Sequence, residues 1–331
     1  MKILVTGSAG HLGEALMRGL HDGTDATAHE AVGIDMLASP STTLVGSIAD
    51  RAFVARAMRG IDAVLHVATL HKPHIATHSK QDFIDTNLTG TLNLLEEAAA
   101  AQVGAFVFTS TTSTFGGAMA PAAGAPTVWV DEDLTPIAKN IYGVTKLAAE
   151  DLCGLFHRQH GMPCIVLRTS RFFPERDDDK EARERYVPAN AQVNELLNRR
   201  VDIEDVVSAQ LCAIGRAAHI GFGRYVVSAT SPFTRDELQA LRDDLPAVVA
   251  RHVPQYAAEY EKRGWAMAPG IDRVYVNAKA RDELGWRPTH DFASAIEALR
   301  VGRDDQSALA RQVGVKGYHA AAFADGPFPA R

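Results

Sequence analysis

Cysteine is scarce in this chain of 331 residues, which has only Cys153, Cys164 and Cys212. Each lies in an apolar pattern, and three scattered thiols make no disulfide framework. They read as buried thiols of a reducing compartment, so the expected location is cytoplasmic. Long apolar runs are also missing. No stretch reaches the roughly 18 apolar residues of a membrane span, so no membrane partner is expected. MKILVTG enters a strand pattern directly, without the apolar core of a secretory signal. Positive charge is in deficit, with 34 Lys+Arg against 40 Asp+Glu and a formal charge of −6. A nucleic-acid partner would want a basic face, so none is expected. Internal repeats and low-complexity tracts are absent too. What remains is a globular composition, 46% hydrophobic, long enough for one large domain or two smaller ones.

The first half alternates short apolar runs with helical patterns. Strands are expected at Lys2–Thr6, Ala31–Asp35, Ala63–Ala68, Ala105–Ser110 and Cys164–Arg168, with a late one at Arg224–Ser228. Helices are expected at His11–Leu20, Asp50–Met58, Gln81–Ala101, Tyr142–His160 and Ile203–Gly215. Nearly continuous apolar strands are buried on both faces, and their alternation with helices gives an α/β fold with a doubly wound parallel sheet. Gly116–Pro136, rich in Gly, Ala and Pro, reads as a loop. PERDDDKEARER, from Pro174, reads as a solvated charged segment. Beyond Thr230 the chain turns mostly helical and ends in a Gly/Pro-containing tail. The expected division is a Rossmann domain of residues 1–170, joined by 203–229, and a smaller substrate domain of 171–202 and 230–331.

GSAGHLG follows the first strand and comprises Gly7, Ala9, Gly10, His11, Leu12 and Gly13 around Ser8. Its glycines allow a tight turn and close backbone approach to a pyrophosphate, and the next helix offers its N-terminal N–H groups to the anion. Asp35 ends the second strand, where a carboxylate accepts ribose hydroxyls and repels a 2′-phosphate. No basic residue follows in DMLASP, so the expected cofactor is NAD rather than NADP. Ser47 and Ile48 are placed beside the adenine. Val67, Ala68 and Thr69, after His66 in HVAT, are placed near the phosphates and ribose. His66 itself reads as a satisfied strand-end histidine.

FTSTTSTFG, from Phe108, closes the fourth strand with a run of hydroxyls, its Thr109 lying toward the cofactor. NIYGVTKLAAEDL follows, with Tyr142 and Lys146 four residues apart and therefore on one helix face. A free phenol, with its pKa near 10, is a poor base at neutral pH; lowering it by about three units needs roughly 4 kcal/mol. A cation about 4 Å away at an effective dielectric near 20 supplies that order of energy. A lysine ammonium can also hold the cofactor ribose, and a strand-end hydroxyl can orient the reacting oxygen.

In this combination the chain resembles an extended short-chain dehydrogenase/reductase of the NAD-dependent epimerase/dehydratase family. GSAGHLG, Asp35, DTNLTGT, the hydroxyl run, YGVTK, VLR, DIEDVVSAQL and NAKARDELGWRPTHDF match it in order and cover almost the whole chain. The resemblance implies Tyr142 as acid/base, Lys146 as its partner and Thr111 as the aligned hydroxyl, with Ser110 and Thr112 as neighbours. It implies Asn87 beside the site, ordering the central strands, or serving only its own helix.

Three departures narrow the expectation. Dehydratases of the family carry an Asp–Glu pair after the catalytic hydroxyl, where this chain has Thr112 and Ser113. The Pro174–Asp202 segment is short for a nucleotide grip. Arg171 in SRFFPE either grips a substrate carboxylate or phosphate, as the likeness to uronate dehydrogenases implies, or pairs with the acids of ERDDDKE. In LHKPHIATHSK, His71 and His74, with Lys72 and His78, are either substrate contacts or a solvated loop; no metal is expected. The expectation is an NAD-dependent dehydrogenase acting on a secondary alcohol of a sugar or sugar acid. Its rivals are a UDP-hexose 4-epimerase and a non-catalytic NAD-sensing protein. A homodimer through the two long helices is expected.

Overall fold

The computed structural model describes residues 1–21, 29–176, 180–317 and 323. Asp177–Asp179 of the charged run, and all of the tail beyond Gly317 except Phe323, lie outside the described residues.

Seven strands form one sheet: β1 (Lys2–Thr6), β2 (Glu30–Asp35), β3 (Leu44–Val45), β4 (Ala63–His66), β5 (Ala105–Thr111), β7 (Cys164–Thr169) and β8 (Phe222–Val227). Their order is β3-β2-β1-β4-β5-β7-β8, and every neighbouring pair is parallel. Side chains alternate between two cores, as the pleat requires. Ile3, Val5, Leu65, Val107 and Leu167 face one helical layer, formed by α1 (His11–His21) and α8 (Ile203–Ile220). Leu4, Val64, Phe106, Phe108 and Val166 face the other, formed by α2 (Arg51–Ala57), α4 (Gly90–Ala100) and α5 (Ile141–His160). Strand order reverses between β1 and β4, so a crevice opens outside their carboxyl ends.

Before α4 stand a short α3 (Lys80–Phe83) and a π-helical turn, Ile84–Thr89, in which the N–H of Gly90 reaches back to the carbonyl of Asp85. The single long helix expected from the apolar periodicity therefore contains a widened turn, and Asn87 lies in it. Widened turns of this kind gather at functional sites. α5 starts on Asn140, whose side chain accepts the N–H of Gly143, and stops at Gly161 with φ +67°.

Three strands, β3, β6 (Val128–Val130) and β9 (Arg273–Tyr275), went unread in the sequence. β3 is only two residues long. β6 lies inside the Gly116–Pro136 stretch taken for a loop and pairs with β9, far along the chain. Its alternation is too short to register, and its partner is distant. Between β7 and α8 lie α6 (Lys180–Arg185) and α7 (Pro188–Glu195); α9 (Leu238–Asp243), α10 (Leu245–His252), α11 (Tyr256–Arg263) and α13 (Phe292–Arg300) surround a separate apolar cluster with Val193, Leu197 and Phe292 at its centre. α12 (Ala278–Glu283) and α14 (Ala308–Val313) instead pack their Ala280 and Val313 on the sheet core, beside the fully buried Trp286. The indole N–H of Trp286 donates to the carbonyl of Asp205, 3.0 Å away, and so pins this segment to α8.

Candidate active site

The glycine loop occupies the crevice at the switch in strand order. Gly7 has φ +71°, and a Cβ there would stand 2.8 Å from Cα of Ala68; one on Gly13 would stand 1.9 Å from the carbonyl oxygen of Gly7. Both positions require glycine, one to let the loop meet Val67–Ala68 and the other to let α1 meet the loop. The N–H of Ala9 donates to Oδ2 of Asp35 at 3.0 Å, and the N–H of Leu37 donates to Oδ1 at 2.9 Å. Asp35 thus braces the loop from the tip of β2. Leu12 is buried in the core under the loop. Beyond β3, Asn93 of α4 donates to the carbonyls of Ile48 (3.0 Å) and Ala49 (3.1 Å), while Ser47 Oγ accepts the N–H of Ala49. The bare glycine backbone, the helix start and the carboxylate at a strand end fit a dinucleotide.

His66 is completely buried, and its partners set its tautomer. The Thr91 hydroxyl donates to the carbonyl of Asn87 at 2.6 Å, so it accepts from Nε2–H of His66 at 2.9 Å. Nδ1 then accepts from the Thr6 hydroxyl, which itself accepts the N–H groups of Val67 and Ala68. Burial, then the charge of Lys146, holds the imidazole well below its usual range, so it stays neutral. His66 is a structural strut that shapes the 67–68 turn under the glycine loop.

Asn87 joins three pieces of the site. Its amide oxygen accepts the N–H of Leu70 (2.8 Å) and the Thr69 hydroxyl (2.9 Å); its nitrogen donates to the Leu70 carbonyl (2.9 Å) and to Thr145 Oγ1 (3.1 Å). Thr145 sits between Tyr142 and Lys146 on α5, so the 69–70 turn and that helix are locked together.

Tyr142 and Lys146 both lie on the buried face of α5, against the end of β5. Burial pushes the Tyr142 phenol up to about 12, with the Thr111 side chain pulling it down. The acidified phenol expected from the sequence is therefore not what the structure displays. The reason is burial, and Lys146 does not offset it before NAD binds: its Nζ donates to the carbonyl of Thr109 at 2.6 Å and lies 4.0 Å over the Phe108 ring. Burial also drives Lys146 down to about 7, against an upward pull from Glu150.

The strand-end hydroxyls divide. Thr109 Oγ1 accepts from Gln210 at 2.7 Å, and Thr111 Oγ1 accepts the N–H of Ser113 at 3.1 Å. Ser110 turns away and donates to Glu150 Oε1 at 2.6 Å. Thr112 is buried in the short turn that follows β5.

Sequence reasoning passed over two partners here. Glu150 continues the four-residue stride of Tyr142 and Lys146 on α5, a signal that was readable. Glu175 was not readable: its Oε1 lies 2.8 Å from His11 Nε2 in the glycine loop, and it accepts the N–H groups of Lys316 and Gly317 at 3.1 Å each. Burial pushes the Glu175 carboxyl up, but the hydrogen bond and charge of His11, with the backbone N–H of Lys316, outweigh it and hold it at about 2. Phe173 fills the space between the loops, 5.3 Å from the His11 ring edge-on and 5.3 Å from the His71 ring in a stack. His74 accepts the N–H of His71 on Nδ1 at 3.0 Å.

Arg171 donates to the carbonyl of Glu175 at 2.8 Å, and its Nε stands 3.7 Å from Glu195 Oε2. Arg199 and Arg200 also bond Glu195, at 2.7 and 2.8 Å. The acid that gathers these arginines is thus Glu195 on α7, outside the charged run. Among the described residues, one trio of possible metal ligands converges, Asp202, Glu204 and His290. His290 is raised to about 9 by its hydrogen bond to Asp205, against burial and with the charges of Asp202 and Glu204, so it is an imidazolium in an ion cluster at neutral pH.

Residues 3–227 match the model of the NAD dependent epimerase/dehydratase family. A dTDP-glucose 4,6-dehydratase of Streptomyces niveus is 29% identical over 343 aligned positions, which cover 93% of this chain and 94% of that protein. An L-arabinose 1-dehydrogenase (NAD(P)(+)) of Haloferax volcanii is 31% identical over 204 positions, 57% of this chain and 76% of the relative. The fold is shared with the NAD complex of UDP-glucuronic acid 4-epimerase from Bacillus cereus, at TM-score 0.62 and 21% identity over 90% of this chain and 97% of that one. The match over most of the chain, on a seven-stranded parallel sheet with the glycine loop at its switch point, makes this protein a member of the NAD-dependent epimerase/dehydratase family of extended short-chain dehydrogenases/reductases.

Proposed function

We propose that the protein is an NAD-dependent dehydrogenase acting on a secondary alcohol of a free sugar or sugar acid. Bound NAD supplies the hydride acceptor. The glycine loop, with Asp35, Ser47, Ile48, Val67–Thr69 and Asn87, forms the cradle for it. Tyr142, in its phenolate form once bound NAD has lowered it, takes the hydroxyl proton of the substrate and becomes neutral; Lys146 compensates the phenolate charge before that transfer, and Thr111 hydrogen-bonds the reacting oxygen. In this reading 1–170 with 203–229 is the cofactor domain and 171–202 with 230–331 the substrate domain, although α12, Trp286 and α14 of the latter pack on the sheet core; Thr112, His71 and His74 border the substrate. The chain works as a cytoplasmic homodimer through α4 and α5.

The observation that carries this choice is the inward pairing of the segment between β7 and α8. Arg171, Arg199 and Arg200 converge on Glu195, and Gln192 donates to the carbonyl of Pro174 at 3.0 Å. Guanidinium groups engaged in this way favour a small substrate over a nucleotide diphosphate. Thr112 and Ser113 after Thr111 count against dehydration, since neither is an acid at neutral pH.

The test is a screen of uronates, aldoses, polyols and UDP-sugars with the purified protein and NAD. Net NADH formation from a free sugar or sugar acid is the expected result. Conversion of a UDP-sugar with no net NADH would replace this reading by the 4-epimerase.

A further inference from the structure

Two buried cations lie near one buried carboxylate between α5 and the sheet: Arg168 bonds Glu150 directly, and Lys146 stands one helical turn before it on α5. Lys146 is 2% exposed, Arg168 3% and Glu150 0%. Glu150 lies four residues beyond Lys146, on the same buried face of α5. Its carboxylate accepts Nε of Arg168 at 3.1 Å to each oxygen, NH2 of Arg168 at 2.8 Å and the Ser110 hydroxyl at 2.6 Å. From the margin of the space Arg224 also reaches it, Nε at 3.1 Å, while its other arm holds the exposed Asp151 at 2.8 Å. The remaining titratable neighbours bring no charge at neutral pH. Cys153 on α5 and Cys164 on β7 are raised by burial, His66 on β4 is lowered by burial, and Tyr142 is raised by burial.

We propose that Glu150 is the counter-charge that keeps Lys146 protonated, a positioning residue that acts on the reacting atoms only through that lysine. A guanidinium is a permanent cation, so the excess of positive charge in this cluster can be relieved only at its lysine. Lys146 is the member of the cluster that can give a proton up. Burial has already brought it down to about 7, and the Glu150 carboxylate pulls upward. With Glu150 neutral, two buried cations would face no anion, and the lysine would lose its charge. The consequence for catalysis rests on the role assigned to Lys146 above; the electrostatic relationship itself does not.

The experiment compares the full-length protein, as purified, with Glu150→Gln, both carrying 13C at the lysine ε-carbon. The Lys146 signal is identified by its loss in Lys146→Arg. Glu150→Gln should lower the Lys146 midpoint by about one pH unit or more, a tenfold change in its acid constant. An unmoved midpoint in a variant with a native thermal transition overturns the proposal. Should Glu150→Gln not fold, Arg224→Gln takes its place: removing a competing cation should raise the midpoint, and a midpoint that stays or falls overturns the proposal. NADH formation from a uronate and aldose panel is followed across pH in parallel. A moved midpoint with an unmoved rate profile upholds the counter-charge role and counts against the duty given to Lys146.

Discussion

Nζ of Lys146 donates to the carbonyl oxygen of Thr109, the residue two places before the end of β5, at 2.6 Å. The ammonium is thereby held by a carbonyl and the face of Phe108 instead of water. Lys146→Met keeps the bulk and removes the charge. The expected outcome is a folded protein whose NADH formation falls by about 100-fold or more. A rate within a few-fold of the parent, measured with saturating NAD, would remove Lys146 from the mechanism.

Without bound NAD, Tyr142 is a neutral phenol over the whole physiological range, because burial has pushed it up to about 12. Spectroscopic titration of tyrosinate should therefore show no component that Tyr142→Phe removes below pH ~10, the usual phenol range. Oxidised nicotinamide brings positive charge, so added NAD should move the Tyr142 component down. Activity of Tyr142→Phe should fall by roughly 100- to 10,000-fold, the span of general acid–base catalysis.

Gly13→Ala places a methyl group 1.9 Å from the Gly7 carbonyl oxygen. The loop must move away from α1, so NAD affinity, followed by calorimetry, should weaken by about tenfold or more, or 1.4 kcal/mol. Gly60→Ala is the control, since its Cβ would meet nothing within 4 Å; with φ +69° it should cost some stability and leave NAD affinity alone.

Asp35→Asn removes the charge facing a 2′-phosphate and retains an oxygen for the N–H of Ala9 or Leu37. The preference for NAD over NADP should narrow by about tenfold in the ratio of affinities. An unchanged ratio would show that another residue sets cofactor choice.

His290 links Asp205 to Asp202 and Glu204 at the start of α8. Its hydrogen bond to Asp205 comes first among the causes that raise it to about 9 in the folded chain. A raised pKa stabilises fully below the unfolded value, near 6.5, and that contribution is lost as pH climbs through about 9. With 24% of the side chain open to water, the contribution is on the order of 1–2 kcal/mol. Urea unfolding should show this fall between pH 6.5 and 9 in the parent and not in His290→Asn.

The layered fold was legible because its signals are local. Ile3, Leu4 and Val5 read as a strand buried on both faces, and they divide between the two cores. Asp35 and the glycine trio were readable for the same reason, each standing at the end of a strand or the start of a helix. β6 was hidden because three residues pair with a strand about 145 positions away, Val128 opposite Arg273. The inward arginines were hidden in part. Arg199 stands four residues from Glu195, a spacing that was readable, but Arg171 is brought to the same acid by tertiary turns that no spacing announces. The phenol was only partly legible: a stride of four gives the shared helix face of Tyr142 and Lys146, while burial and the path of Nζ to the Thr109 carbonyl depend on what surrounds them.

The contact of His11 with Glu175 and Lys316 joins an early stretch of the chain to a very late one, 305 positions apart. At ribosomal speeds of about 5–20 residues per second, His11 precedes Lys316 by roughly 15–60 s. The hydrogen bonds that His11 and Glu175 receive from residues 316 and 317 can therefore form only when almost the whole chain has been made.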